Sequence, residues 1–290
     1  MKNKTWLCFP AIQAAALIQT ASGENWVDVV LMAALAWVLL RLPRAQRIPR
    51  WVELLQILWS GVLTGQVLCW FSGCWPGFPL WACLGLVVLA LWQTAKGSKA
   101  VAAAASVLGL FQLALIAGVL LAGVHSVRVP NLFPRYPHFP GWLLTALLLP
   151  ALGGKEKGNA LWPCVWALVI CLVTGGVVPA GATQSSVNAF WEMSRSLSVF
   201  GKIRRLESLT AVGLSLGFFL LLCFLLGGGK KESKVEKVLP AALGLSLFGM
   251  NLTVGGNMAA AVSVVLWILL PMLAGFSLQK RTKTEENGKD

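Results

Sequence analysis

The chain has 290 residues, of which 57% are hydrophobic and only 12% charged, with a formal net charge of +13. Soluble domains average roughly 45–50% apolar and about 25% charged residues, so this composition excludes an ordinary water-soluble domain and makes lipid the expected solvent. The positive charge does not point to nucleic acid, because the Lys and Arg residues fall between apolar runs instead of lining one surface.

A bilayer core about 30 Å thick needs roughly 20 apolar residues of helix, since a helix satisfies its own backbone where no water can. About ten runs meet or approach that requirement. They are 6–20, 26–42, 51–75, 78–95, 100–124, 141–152, 160–180, 208–226, 238–254 and 258–276, with the first and sixth short. The expected fold is one polytopic all-α membrane domain, 1–290, with a tail at 278–290.

If the amino terminus is cytoplasmic, 18 of the 24 Lys and Arg residues fall on the cytoplasmic side, and only Arg128, Arg135, Arg195, Lys202, Arg204 and Arg205 lie outside. The positive-inside rule therefore predicts both termini in the cytoplasm and an even number of spans. The first run has a second reading as a signal peptide, with Lys2 and Lys4 as its basic region and 20–23 as a small-residue cleavage site.

Small residues let helices in lipid approach closely, so Gly61-x-x-x-Gly65 and Gly213-x-x-x-Gly217 mark expected helix contacts. Between 187 and 206 the chain becomes amphipathic: Phe190, Met193, Leu197, Phe200 and Ile203 repeat at helical spacing opposite Glu192, Arg195, Ser198, Lys202 and Arg205. Such a helix either lies at the headgroup boundary or covers the mouth of a pocket. The outer loop 124–140 carries Pro130, Pro134, Pro137 and Pro140 and reads as stiff and extended.

No charged residue lies near the centre of any run, which leaves a carboxylate proton relay without support. Glu53 sits at a span entry, where snorkelling to water is expected. Both histidines share one outer loop, no Gly-x-Ser-x-Gly elbow or Cys-x-x-Cys pair exists, and neither an enzyme nor a metal or other cofactor is expected. The mid-membrane polar residues are Gln13, Thr64, Gln66, Gln112, Thr145, Ser215, Asn251 and Ser263. These serve either as interhelical hydrogen bonds or as contacts to a small polar ligand.

The stretch Glu192-Met193-Ser194-Arg195-Ser196-Leu197-Ser198, then Lys202-Ile203-Arg204-Arg205-Leu206-Glu207 before an apolar span, resembles the permease-like B subunits of bacterial spore-germination nutrient receptors. Those proteins belong to the amino acid/polyamine/organocation superfamily. The Lys-Gly-Ser-Lys turn at 96–99 and the proline-rich loop before a short sixth run extend the resemblance along the chain. It implies two inverted five-helix repeats, 6–124 and 141–277, with a ligand site where the first and sixth helices are broken. It selects Gln13, Thr64, Gln66, Thr145, Ser215 and Ser263 as pocket residues, and Glu192, Arg195, Arg205, Leu206 and Glu207 as the family motif. The expected partners are the bilayer, an amino acid or similar nutrient, and further receptor subunits, namely a soluble-domain subunit and a lipoprotein, in the bacterial cell membrane or the spore inner membrane. One departure stands out: residues 6–22 contain no glycine, where relatives carry a glycine-containing break. An active amino acid or organic cation permease and a ligand-free scaffold derived from one are the alternative functions.

Overall fold

A computed structural model describes residues 5–19, 26–27, 29–31, 34, 48–74, 80–132, 161–178, 189–197, 206–227, 231 and 233–274. Among these residues every regular element is helical and none is a strand. The helices are α1 (Thr5–Gln19), α2 (Arg50–Cys74), α3 (Leu80–Ala95), α4 (Ser98–Val124), α5 (Leu161–Val177), α6 (Ala189–Ser196), α7 (Glu207–Gly227), α8 (Lys234–Gly249) and α9 (Gly256–Val264). A 3-10 turn, Val129–Leu132, follows α4, and α9 runs on through a π turn, Val265–Leu269. The helices α2, α4 and α7 are long and apolar enough to cross a membrane, and Leu80–Ala95, Trp162–Val177 and Met258–Ala274 are apolar but shorter. The expected run 141–152 lies outside the described residues, and of 26–42 only six residues, all helical, are described.

The surface is what lipid requires. Trp81, Leu84, Val88 and Trp92 repeat at helical spacing along α3 and are all exposed, as are Val107, Leu110, Phe111 and Leu121 on α4. In water a continuous apolar face of this kind marks an interface, and in a bilayer it is the ordinary contact with acyl chains. Inside the bundle an apolar core also encloses polar side chains, among them Gln13, Gln56, Gln66, Gln112 and Thr64.

Contacts fix the direction of each helix. Gly61 faces Pro240 and Leu243 while Gly65 faces Gly244 and Leu247, so α2 and α8 run parallel. Gly213 faces Ile116 and Gly217 faces Gln112, so α4 and α7 are antiparallel. Gln56 bonds to Leu266 and Trp59 to Ser263, which sets α9 antiparallel to α2. Pro10 against Gly109 and Ala14 against the Gly217–Gln112 contact set α1 parallel to α4.

Local chemistry explains the helix ends. The 96–99 turn depends on Gly97, whose φ of +97° lies in the left-handed region and lets α3 stop and α4 start within two residues. Ser233 caps α8, accepting a hydrogen bond from the Glu236 amide at 3.1 Å. That cap starts α8 a turn before the expected residue 238. The same helix ends at Gly249 instead of 254: Asn251 adopts a left-handed φ of 50°, and the amides of Asn251 and Leu252 donate back to the carbonyls of Phe248 and Leu247. This is the Schellman arrangement, which closes a helix by satisfying its last carbonyls. The π turn has an equally local cause. Pro271 has no amide hydrogen to give the Trp267 carbonyl, and the Leu270 amide instead reaches back five residues to the Val265 carbonyl.

Candidate functional site

Polar side chains gather along two seams of the bundle. The first joins α2, α8 and α9, and its glutamines are bonded, although the Trp267 indole nitrogen in the π turn is buried without a partner. Gln56 Nε2 donates to the Leu266 carbonyl at 2.9 Å, inside the π turn. Trp59 Nε1 donates to Ser263 Oγ at 2.9 Å, and Ser263 donates onward to the Ala259 carbonyl. Gln66 Oε1 accepts from the Val254 amide at 2.8 Å, tying α2 to the chain just after α8. Thr64 donates to the Ser60 carbonyl one turn earlier, and its methyl group presses on Gly244. A Cβ on Gly65 would lie 2.9 Å from the Gly244 carbonyl oxygen, so the two backbones touch.

The second seam joins α1, α4, α5 and α7. Gln112 of α4 is fully buried, and neither its Nε2 nor its Oε1 has a hydrogen-bond partner. Its amide lies in the notch left by Gly217, where a Cβ would stand 2.1 Å from Nε2 and 3.0 Å from the Ala14 Cβ. Gln13 of α1 accepts from Trp166 Nε1 at 2.7 Å, which leaves its own Nε2 unpartnered. Thr174 of α5 and Thr210 of α7 are also buried with unpartnered hydroxyls. Each such group costs free energy to bury, about 1–3 kcal/mol on mutational scales.

At one end of the bundle, α6 lays Phe190 and Met193 into the protein, and Leu197 after it is buried too. This helix ends at Ser196, and residues 187–188 and 198–205 of the expected amphipathic stretch lie outside the described residues. Gly123 of α4 meets Met193 and Leu197. Among the residues that carry the resemblance, Arg195 pairs with Glu192 at 3.3 Å and with Glu207 at 3.9 Å, and Leu206 is buried beside them in the chain. Arg205 lies outside the described residues. Under α6 is a cavity of about 330 Å³ lined by Ser126, Arg128, Asn131, Val177, Ser196 and Leu197.

At the opposite end, Arg50 bridges Glu53 at 2.9 Å and Glu236 at 2.6 Å, locking the first turns of α2 and α8 together. Glu53 is thus an ion-pair partner and more than a snorkelling side chain. Lys231 donates to the Leu226 carbonyl at the end of α7. Burial pushes its ammonium down to about 8, against the opposing pull of Glu236.

The expected pocket residues therefore divide. Thr64, Gln66 and Ser263 hold helices together in the first seam, Gln13 lies in the second, Ser215 is half-buried on α7, and Thr145 lies outside the described residues. Gln112 belongs to the set of mid-membrane polar residues, and the structure singles it out as the one whose whole amide is unpartnered. Trp166, Gln56 and Trp59 carry polar contacts that sequence reasoning missed, because an indole nitrogen or a glutamine near a span end gives no periodic signal. Among the described residues no three His, Cys, Asp or Glu side chains gather into a metal site. The fold and its surface define an all-helical protein suited to a membrane. Neither a family model nor a curated protein matches the chain.

Proposed function

We propose that this chain is a permease-like membrane subunit that binds a small polar nutrient, such as an amino acid, along the seam between α1, α4, α5 and α7. The observation that carries the reading is Gln112, whose amide is wholly buried and unpartnered against Gly217 and Ala14. Lipid supplies no hydrogen bonds, so a buried amide of this kind is a standing demand for a polar partner that a ligand can meet.

The ten-span inverted repeat belongs to the same proposal, and a pattern in the contacts supports it. Exchanging α2, α3 and α4 for α7, α8 and α9 turns the α2–α8 pairing into the α7–α3 pairing and the α4–α7 pairing into one between α9 and α2, which exists chiefly at the π turn that continues α9. Both α2 and α7 also carry a Gly-x-x-x-Gly, although that of α2 packs on α8 and that of α7 on α4, so the glycine contacts do not follow the exchange. Such an exchange is what internal duplication leaves behind. The resemblance of 192–207 to spore nutrient-receptor B subunits supports the receptor role, with both termini cytoplasmic and a soluble-domain subunit and a lipoprotein as partners. α1 is one continuous helix with Pro10 inside it and no glycine break, and this feature favours the ligand-free scaffold as the second reading.

The test is thermal unfolding in phosphatidylcholine nanodiscs with each of the twenty L-amino acids. A ligand bound only by the folded state raises the unfolding temperature. Stabilisation that disappears in Gln112→Met supports the site, and the absence of any stabilising amino acid would leave the ligand-free scaffold as the better account. Uptake into proteoliposomes driven by an ion gradient would convert the receptor reading into the permease one.

A further inference from the structure

A second binding site, separate from the mid-membrane seam, is carried by the cavity beneath α6. Its walls are firmly built. The Arg128 amide and Asn131 Nδ2 both donate to the Gly176 carbonyl, at 2.9 and 3.0 Å, which ties the segment after α4 to the end of α5. The Asn131 amide donates to the Arg128 carbonyl at 3.0 Å, closing the 3-10 turn. Gly176 allows this approach, since a Cβ there would lie 2.6 Å from Val127 Cγ1. On the third side, Ser196 Oγ donates to the Met193 carbonyl at 2.9 Å, and Leu197 closes against Gly123.

The polar groups left over are specific in kind. Arg128 forms no ion pair among the described residues, unlike Arg50 and Arg195, and no carboxylate is among the residues lining the cavity. Asn131 has spent one of its two Nδ2 hydrogens and keeps Oδ1 as an acceptor, and Ser196 has committed its hydroxyl proton and keeps its oxygen lone pairs. One guanidinium that matches a carboxylate, set in a single small cavity with carbonyl and hydroxyl acceptors that match an ammonium, is a complementary arrangement for an α-amino-acid zwitterion. The cavity volume of about 330 Å³ falls at the lower end of the ligand-pocket range, about 300–1,000 Å³. We infer that the cavity bounded by Ser126, Arg128, Asn131 and Ser196 binds an α-amino-acid group, presented by a free amino acid or by a serine lipid headgroup.

The test reads Arg128 directly. The full chain in phosphatidylcholine nanodiscs is treated with 4-hydroxyphenylglyoxal, an arginine reagent, and adducts at Arg128 and Arg195 are followed by peptide mass spectrometry. The probes are the twenty L-amino acids, their methyl esters and propionate. At least one free amino acid is expected to slow modification of Arg128 threefold or more without slowing Arg195, its methyl ester is expected to be inert, and propionate is expected to protect less. Replacing part of the phosphatidylcholine with phosphatidylserine distinguishes the sources: protection without added amino acid assigns the site to the headgroup. Equal Arg128 rates under all conditions, or equal protection by acid and ester, would overturn the inference. Arg128→Gln, at an exposed position, is expected to keep the ligand-free unfolding temperature and to weaken binding of the protecting amino acid at least tenfold. If instead amino-acid stabilisation survives Arg128→Gln and is lost in Gln112→Met, the cavity site fails while the mid-membrane reading stands.

Discussion

The two polar seams share one bilayer-like interior and use similar residues, yet they treat their amides in opposite ways. Along α2, α8 and α9, Gln56 and Gln66 each reach a backbone group on another segment, and Trp59 meets Ser263. Along α1, α4, α5 and α7, Gln112 reaches nothing, Gln13 is half satisfied, and Thr174 and Thr210 bury their hydroxyls alone. A satisfied buried polar bond specifies one arrangement and resists change, because breaking it strands its partner. An unsatisfied one lowers stability until something arrives to complete it. The first seam thus reads as scaffold and the second as the part free to respond.

The largest expected effect comes from overfilling the scaffold seam. A Cβ on Gly244 would lie 2.8 Å from Thr64 Cγ2 and 3.1 Å from the Gly61 carbonyl oxygen. Gly244→Leu should cost about 3 kcal/mol or more, at the upper end of overpacking, and chemical unfolding in micelles measures it. Gly217→Ala in the other seam meets the flexible end of the Gln112 side chain and, at 3.0 Å, the Ala14 Cβ, so α1 must give only slightly and the cost should be about 1 kcal/mol. Comparable losses from Gly217→Ala and Gly244→Ala would erase the contrast between rigid and adaptable seams.

Next comes a pair of identical substitutions with opposite signs. Gln66→Met strands the Val254 amide and should destabilise by about 1–3 kcal/mol. Gln112→Met removes two unpartnered polar atoms at nearly constant volume and should stabilise by about 1 kcal/mol. The same unfolding assay compares them, and two losses of equal size would show that Gln112 has a partner after all.

The smallest effect concerns Lys231. Its ammonium ordinarily titrates at 10.5 and is pushed down to about 8 in the folded protein, so the unfolded chain holds the proton more tightly. Below about 8 the burial penalty is fully present, and stability contributed by this group rises with pH between the two values. Solvent screening of a partly exposed side chain should keep the gain below about 1 kcal/mol across the window, and Lys231→Gln should flatten it in a pH series of unfolding midpoints.

Much of the architecture was legible because apolar length and small-residue spacing are properties of the chain itself. The expected runs 51–75, 100–124 and 208–226 became α2, α4 and α7, and the two Gly-x-x-x-Gly pairs lie at tight helix contacts. The boundaries of α8 were less legible, since hydropathy ignores the Ser233 cap and the left-handed Asn251. The division of polar residues was not legible at all. Gln66 and Gln112 look alike in sequence, and which of them finds a partner depends on what the neighbouring helix presents across the seam.

The π turn of α9 has a consequence for how its faces are counted. Ala259, Ser263 and Leu266 form one inward stripe that a regular helix would continue through 270 and 273. The inward positions are instead Pro271 and Ala274, while Leu273 is exposed, so the stripe slips forward by one residue after the turn. A helical wheel drawn straight through this segment would assign lipid and protein contacts wrongly in its last turn. Deleting one residue from 265–269 would close the extra loop of backbone and keep both halves of the helix facing as they do now, whereas inserting one would rotate the last turn by roughly 100° toward lipid.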